Sequence, residues 1–240
     1  MASIKDDRGF NQGFRPSKAL DIRTERRCDY MISKMNCSEN TSILEIGCGT
    51  GEISFLLAKK NAAEVTGTDL CTPFINEAQN RYNLENLKYK QLDFNNPESI
   101  DRVLGKDKFD YIVGNGILHH LYYQIDDALR NIHSLLKDNG KLIFLEPNIL
   151  NPYCFLIFRF SLFRKMAKLE PGEMAFMKKF IEKKLTRAGF KDIEVEYRDF
   201  LLPGTPNLFI KPLISLGNII EKIPAIKKIS QSIFITAIKK

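Results

Sequence analysis

Along the chain, short apolar runs alternate with stretches whose apolar residues recur every three or four positions, most regularly between residues 41 and 146. Ile43, Leu44 and Ile46 form the first run, followed by glycines at 47, 49 and 51 and a helical pattern through Ile53, Leu56 and Leu57. Glu64–Asp69, Leu87–Gln91, Phe109–Asn115 and Lys141–Glu146 read as four further strands. Pro73–Tyr82 and Asp126–Leu136 read as helices, the second ended by Asp138-Asn139-Gly140. Strands alternating with helices predict a parallel, doubly wound α/β sheet. Such sheets bind ligands at the carboxyl ends of their strands, where Gly47, Asp69, Asp93 and Asn115 fall.

The flanks have other patterns. Residues 1–23 show no clear period, and Thr24–Met35 predicts an amphipathic helix with Cys28, Met31, Ile32 and Met35 on one side. Tyr153–Leu169 is aromatic and aliphatic, interrupted by Arg159, Arg164, Lys165 and Lys168. Glu173–Ala188 predicts a helix ended by Gly189, and Lys191–Tyr197 and Ser232–Ile238 predict strands. Between these strands, Phe200–Gln231 carries Phe209, Leu213, Leu216, Ile220 and Ile223 at helical spacing until Pro224 interrupts it. The expected organisation is a single domain: a helical cap over 1–40, a ligand-binding core over 41–146, and helical inserts over 147–190 and 200–231.

Composition changes this picture little. A hydrophobic content of 44% with 27% charged residues is ordinary for a globular chain of 240 residues. Cys28, Cys37, Cys48, Cys71 and Cys154 form no C-x-x-C and no His/Cys group at metal-ligand spacing, which predicts reduced thiols, no metal and a cytoplasmic protein. Residues 1–14 lack a signal peptide's apolar stretch, and the longest apolar run, Tyr153–Phe158, is too short to cross a bilayer. Charge matters more. Through Leu150 there are 19 Lys/Arg against 21 Asp/Glu, whereas from Asn151 onward there are 17 against 8. A basic C-terminal third with two apolar amphipathic inserts suits an anionic membrane surface or an apolar substrate; solvated helix faces, or a lid packed on the domain, explain it as well.

The chemistry begins at the glycine turn. Three glycines in five residues let the backbone bend sharply and let a ligand lie against it, beside the unpaired N–H groups of a helix start. The dinucleotide fingerprint requires G-x-G-x-x-G or Ala; here the third glycine comes one residue early and Glu52 stands at the dinucleotide position. A carboxylate ending the second strand, Asp69, can accept hydrogen bonds from both ribose hydroxyls, although it can equally serve the following helix as an N-cap. Asp93 taken alone is a turn acid before Asn95-Asn96-Pro97. His119 and His120, just beyond the fourth strand, have the residue type for a general base and also for structural hydrogen bonding. His133 reads as a surface or packing residue.

The string E-I-G-C-G-T-G, with Glu45 in the first strand, resembles the first motif of the class I S-adenosylmethionine-dependent methyltransferases, firmly over about residues 41–146 and in topology beyond. The resemblance implies a Rossmann-like, seven-stranded sheet, mostly parallel with an antiparallel last strand, and S-adenosylmethionine as cofactor. It implies that Glu45, Gly47, Cys48, Gly49 and Gly51 form the cofactor turn, that Asp69 meets the ribose and Leu70 the adenine, that Asp93 and Phe94 hold the adenine edge, and that Asn115 and Gly116 line the methionine portion. Phe10, Phe14 and Arg15 would then lie in a segment that closes over the cofactor.

The chain looks like the small-molecule methyltransferases related to those of quinone biosynthesis. No N-P-P-Y tetrad follows the fourth strand, where Gly114-Asn115-Gly116-Ile117 stands, which argues against base-amine methylation. The implied function is methyl transfer to a small-molecule oxygen, on an apolar, lipid-linked or secondary-metabolite acceptor deprotonated by His119 or His120. Nucleic acid is not an expected partner, and the expected location is cytoplasmic with peripheral contact at the inner membrane surface. A nucleic-acid methyltransferase, a dinucleotide oxidoreductase and a non-catalytic cofactor binder are the alternatives.

Overall fold

A computed structural model describes residues 17–240; Phe10, Phe14 and Arg15 lie outside the described residues. Seven strands form one sheet in the order β3-β2-β1-β4-β5-β7-β6. They are β1 Ser42–Ile46, β2 Glu64–Asp69, β3 Leu87–Gln91, β4 Phe109–Asn115, β5 Leu136–Pro147, β6 Phe190–Arg198 and β7 Ser232–Lys239. The pairs among β1 to β5 are parallel, and β7 lies antiparallel between β5 and β6.

The helices are α1 Lys18–Ser33, α2 Glu52–Lys60, α3 Thr72–Arg81, α4 Pro97–Leu104, α5 Ile125–Leu135, α6 Pro152–Arg159, α7 Ser161–Met166, α8 Lys178–Arg187 and α9 Asn207–Ile220, with 3₁₀ turns at Leu118–Gln124 and Ile226–Ile229.

Side chains alternate across a strand, so a sheet covered on both faces needs consecutive apolar residues. Leu44 of β1 and Leu142 and Phe144 of β5 pack with α5 through Leu129 and Ile132, while Ile43, Ile143 and Leu145 belong to the opposite layer with Leu57 of α2 and Met31 of α1. These two layers fix the sheet and hold the tips of β1, β2, β3 and β4 side by side at one edge.

Several elements differ from their sequence expectation in extent. Helix α1 begins at Lys18 rather than Thr24, because the Ser17 hydroxyl caps it by accepting the Leu20 N–H and Ala19 buries against Leu201 and Ile210. The strand expected over Lys141–Glu146 extends back to Leu136, which pairs with Phe109 across a register shift. The helix expected from Glu173 begins at Lys178. Residues 173–177 are pulled out by a bridge between Asn148 and Phe176, in which the Phe176 N–H donates to the Pro147 carbonyl (2.9 Å) and the Ile149 N–H to the Phe176 carbonyl (3.0 Å). None of the five cysteines forms a disulfide.

The register brings both C-terminal inserts to the end of the sheet where the parallel strands finish. Ser232 at the start of β7 pairs with Pro147 at the end of β5 and with Arg198 at the end of β6, so the chain leaves for α6 and for α9 at the same edge as the β1 turn.

Candidate active site

The β1–α2 turn is built from left-handed glycines: Gly47, Gly49 and Gly51 have φ of 70°, 54° and 89°. Space demands glycine as much as conformation does. A Cβ on Gly51 would come within 2.5 Å of the Tyr89 hydroxyl and one on Gly47 within 2.7 Å of Ile117. Tyr89 secures the turn by donating to the Gly51 carbonyl (2.9 Å), and the Cys48 N–H donates to the Thr68 carbonyl of β2 (2.9 Å).

Glu45, expected among the cofactor residues, lies under this turn with 2% of its surface exposed, its carboxyl bonded to the Ser54 hydroxyl of α2. Burial pushes its pKa up to about 8, opposed by the Ser54 bond and aided by the charges of Glu52 and Asp69. The Cys48 side chain is likewise buried, and its thiol is raised well above the usual range by that burial. Both side chains support the turn from within, Glu45 from the buried strand and Cys48 from the turn itself.

Asp69 at the tip of β2 faces the turn. Its Oδ2 accepts the Gly49 N–H and its Oδ1 the Cys71 N–H, each at 2.9 Å, so the carboxylate is locked between the glycine turn and the start of α3. Asp69 is not the N-cap of α3: that position is Cys71, which makes no side-chain cap bond, and Asp69 binds its N–H from two residues earlier. Leu70 is half-buried, and its carbonyl accepts from the Gln91 amide (3.3 Å). Asp93 accepts the Asn95 N–H (3.0 Å) in the turn that the sequence predicts for this acid, and Phe94 beside it is buried in the core. The Asn115 side chain points to α1, where its Oδ1 accepts from the Arg27 guanidinium (2.6 Å); Gly116 has φ 70° and donates its N–H to the Leu145 carbonyl (2.8 Å).

Arg27 is 6% exposed and forks onto Asp199 and Ser232 as well as Asn115. Arg23 joins the same carboxylate at 2.8 Å. Burial alone would raise the Asp199 pKa, but the two guanidinium charges hold it below the ordinary range; burial and Arg27 together lower Arg23 to about 10. Helix α1 therefore reaches across the sheet edge to hold the tip of β4.

The histidine pair sits just past Gly116. Glu146 at the end of β5 accepts the backbone N–H groups of Ile117 (3.1 Å), Leu118 (2.8 Å) and His119 (3.2 Å), and its Oε2 lies 3.0 Å from His119 Nδ1. The His119 ring is buried, and its Cε1 would lie 3.5 Å from a Cβ on Gly116. The His120 ring lies 4.2 Å from it, and burial with the charge of His119 pushes the His120 pKa well below its usual value. Glu173, raised by burial, approaches both rings, at 4.0 Å from His119 Nε2 and 3.5 Å from His120 Nδ1; its Oε2 is buried without a hydrogen bond.

Donor atoms of His119, His120 and Glu173 lie within 4.8 Å of one another, the described group that could hold a metal ion and one that sequence spacing does not show. Glu146 and Glu173, which the structure brings to the histidine pair, are not among the residues the sequence pattern singles out. An acid ending a strand beside a histidine-bearing turn was the available signal for Glu146; nothing local marks Glu173. His133 is a packing residue, edge-on to Phe190.

A left-handed glycine turn, an acid at the next strand tip and a held turn after the fourth strand thus meet at one end of the sheet. Residues 44–142 match the family model described as a methyltransferase domain. The chain is 34% identical over 124 residues to polyketide synthase PksR of Bacillus subtilis (strain 168), a match covering 48% of this chain and 5% of PksR. The curated polyketide synthases it matches are far longer, and the chain spans only 4–7% of their length.

In fold it is similar to a SAM-dependent methyltransferase of Archaeoglobus fulgidus (TM-score 0.65, 19% identity, 96% of this chain and 98% of that one). It is also similar to Haemonchus contortus phosphoethanolamine N-methyltransferase 2 in complex with S-adenosyl-L-methionine (TM-score 0.62, 18% identity, 89% of this chain and 52% of that one). Residues 44–142 are thus a methyltransferase domain by their match to the family model, and the fold around them is that of the SAM-dependent methyltransferases.

Proposed function

We propose that the protein transfers a methyl group from S-adenosylmethionine to an oxygen of an apolar small molecule, with His119 as the base. The residues fit the adenosyl group: three left-handed glycines bend the backbone between β1 and α2, and Asp69 is locked against that turn by the Gly49 N–H. The cofactor, when bound, supplies a methyl on a positively charged sulfur, so little activation of the electrophile is asked of the protein. The chain's work is to hold the acceptor in line, to exclude water and to receive a proton; positioning of this kind can supply roughly 7–11 kcal/mol of the barrier.

The observation that carries the reading is the His119–Glu146 bond beside Gly116. A carboxylate that already accepts three backbone N–H groups accepts a hydrogen bond from the Nδ1–H of His119 as well, which leaves Nε2 as the basic nitrogen. Nε2 receives the proton of an acceptor O–H while the oxygen bonds to the methyl. His120, held neutral by burial, packs beside the ring and does not compete for that proton. The likeness of the core to a stretch of polyketide synthases supports a secondary-metabolite acceptor.

The test is mass spectrometry of metabolite and lipid extracts incubated with the protein and a deuteromethyl form of the cofactor. A product heavier by one labelled methyl, lost in His119→Ala, supports the reading. Labelled product formed equally by His119→Ala refutes the base, and labelled nucleic acid in place of a small molecule refutes the acceptor class.

A further inference from the structure

Apolar exposure in this protein is concentrated in two places. Of the eighteen exposed large hydrophobic residues among those described, eight lie in Leu150–Met166 and eight in Leu202–Ile229. Singly scattered exposed hydrophobics are normal on protein surfaces, whereas this concentration marks an interaction site.

The two segments meet. The Asn148 side-chain amide donates to the carbonyls of Lys228 (2.9 Å) and Ser230 (2.8 Å), and that of Asn151 donates to Ile229 (2.8 Å). Helix α6 buries only Cys154 and Phe158, which pack with Ala175, and leaves Tyr153, Phe155 and Leu156 outside. Phe160, Leu162 and Phe163 continue the exposed surface through α7. Helix α9 is anchored by Ile210 and by Gly217 packed on Phe200, and it exposes Leu208, Phe209, Leu216 and Ile219. A lid closed on its own domain would bury these side chains; here they face outward.

Charge selects the occupant. Arg159, Lys165, Lys211, Lys222 and Lys228 are exposed in these segments, and Lys168 is exposed just beyond the first. The acid Glu221 is only partly exposed and is engaged by the Asp199 N–H (2.9 Å) and by Arg198 (3.5 Å). Apolar side chains flanked by lysines match an anionic bilayer interface, where the rings enter the acyl boundary and the lysines reach headgroup phosphates. No described helix is long and apolar enough to cross a membrane.

We propose that α6–α7 and α9 together form a docking surface for an anionic phospholipid membrane. Because both inserts leave the sheet at the edge that carries the glycine turn and the His119 turn, docking brings this edge to the bilayer, and an acceptor dissolved in lipid can enter without crossing water. The docking is independent of methyl transfer, and its test reads binding alone.

The full chain is sedimented with phosphatidylcholine vesicles and with vesicles containing about 30% phosphatidylglycerol at moderate salt. Retention on anionic vesicles, at least tenfold weaker on neutral ones, is the expected result. Leu162→Ser/Phe163→Ser and, separately, Leu208→Ser/Phe209→Ser should weaken it tenfold or more, with melting temperature unchanged because these side chains are exposed. Lys165→Glu/Lys168→Glu should do the same and leave the apolar face intact. Equal retention by wild type and all three variants overturns the proposal, as does absence of binding to anionic vesicles. A dimer in light scattering that the serine variants dissociate also overturns it, by assigning the face to a second copy of the chain.

Discussion

His119 Nδ1 lies 3.0 Å from Glu146 Oε2, and the same carboxylate gathers the backbone N–H groups of Ile117, Leu118 and His119. One acid thus sets both the path of the turn after β4 and the tautomer of the imidazole on it. His119→Ala should lower kcat by roughly 10²- to 10⁴-fold while cofactor affinity stays within about threefold. Glu146→Gln should lower kcat by at least roughly tenfold, since it removes the acceptor that orients the ring. Steady-state kinetics beside calorimetric titration of the cofactor product checks both; a His119→Ala enzyme of normal kcat removes the base assignment.

Asp69 should dominate cofactor affinity. The N–H groups of Gly49 and Cys71 fix its carboxylate at the turn, and each charge-assisted bond that it accepts from a ribose hydroxyl would contribute about 1.5–3 kcal/mol. Asp69→Ala should weaken binding of S-adenosylhomocysteine by roughly 100-fold, with Asp69→Asn intermediate. Isothermal titration decides this, and an unchanged Kd would place the ribose elsewhere.

Glu45 should make stability fall as the pH rises from 4.5 to about 8. Its folded pKa of about 8 lies above the ordinary 4.5, so between these values the folded state keeps a proton that the unfolded state releases. Its contribution is complete below pH 4.5 and is lost as the pH rises through 8. Glu45→Gln, neutral at every pH and able to bond Ser54, should flatten that decline in melts run across this range. A variant that loses stability with pH as steeply as wild type would show that Glu45 is not the responsible group.

Arg27 should be structural. Its guanidinium is shared by Asn115, Asp199 and Ser232, and a buried ion pair broken from one side typically costs about 3–5 kcal/mol. Arg23 remains on Asp199 in the variant, so Arg27→Met should cost about 3 kcal/mol, the lower end of that range. Arg27→Lys should recover only part of this, because a lysine cannot fork onto three acceptors. Urea unfolding measures both, and a loss below about 1 kcal/mol would make the cluster incidental.

What the sequence alone determined was whatever local pattern fixes. Apolar runs of strand length, Gly47, Gly49 and Gly51 in five residues, and Asp69 ending a strand are statements about neighbours in the chain, and they were enough to fix the alternating core and the glycine turn. Helix starts were less legible, because Ser17 and Lys178 are chosen by burial of Ala19 and by the Asn148–Phe176 bridge, which join distant segments. Only the tertiary structure decided that Glu45 turns inward to Ser54, that Glu146 and not a neighbour in sequence holds His119, and that Glu173 closes on both imidazoles. The physical reason is that hydrogen bonds and burial depend on distance in space, and β5 brings Glu146 beside the β4 turn only once the sheet has formed.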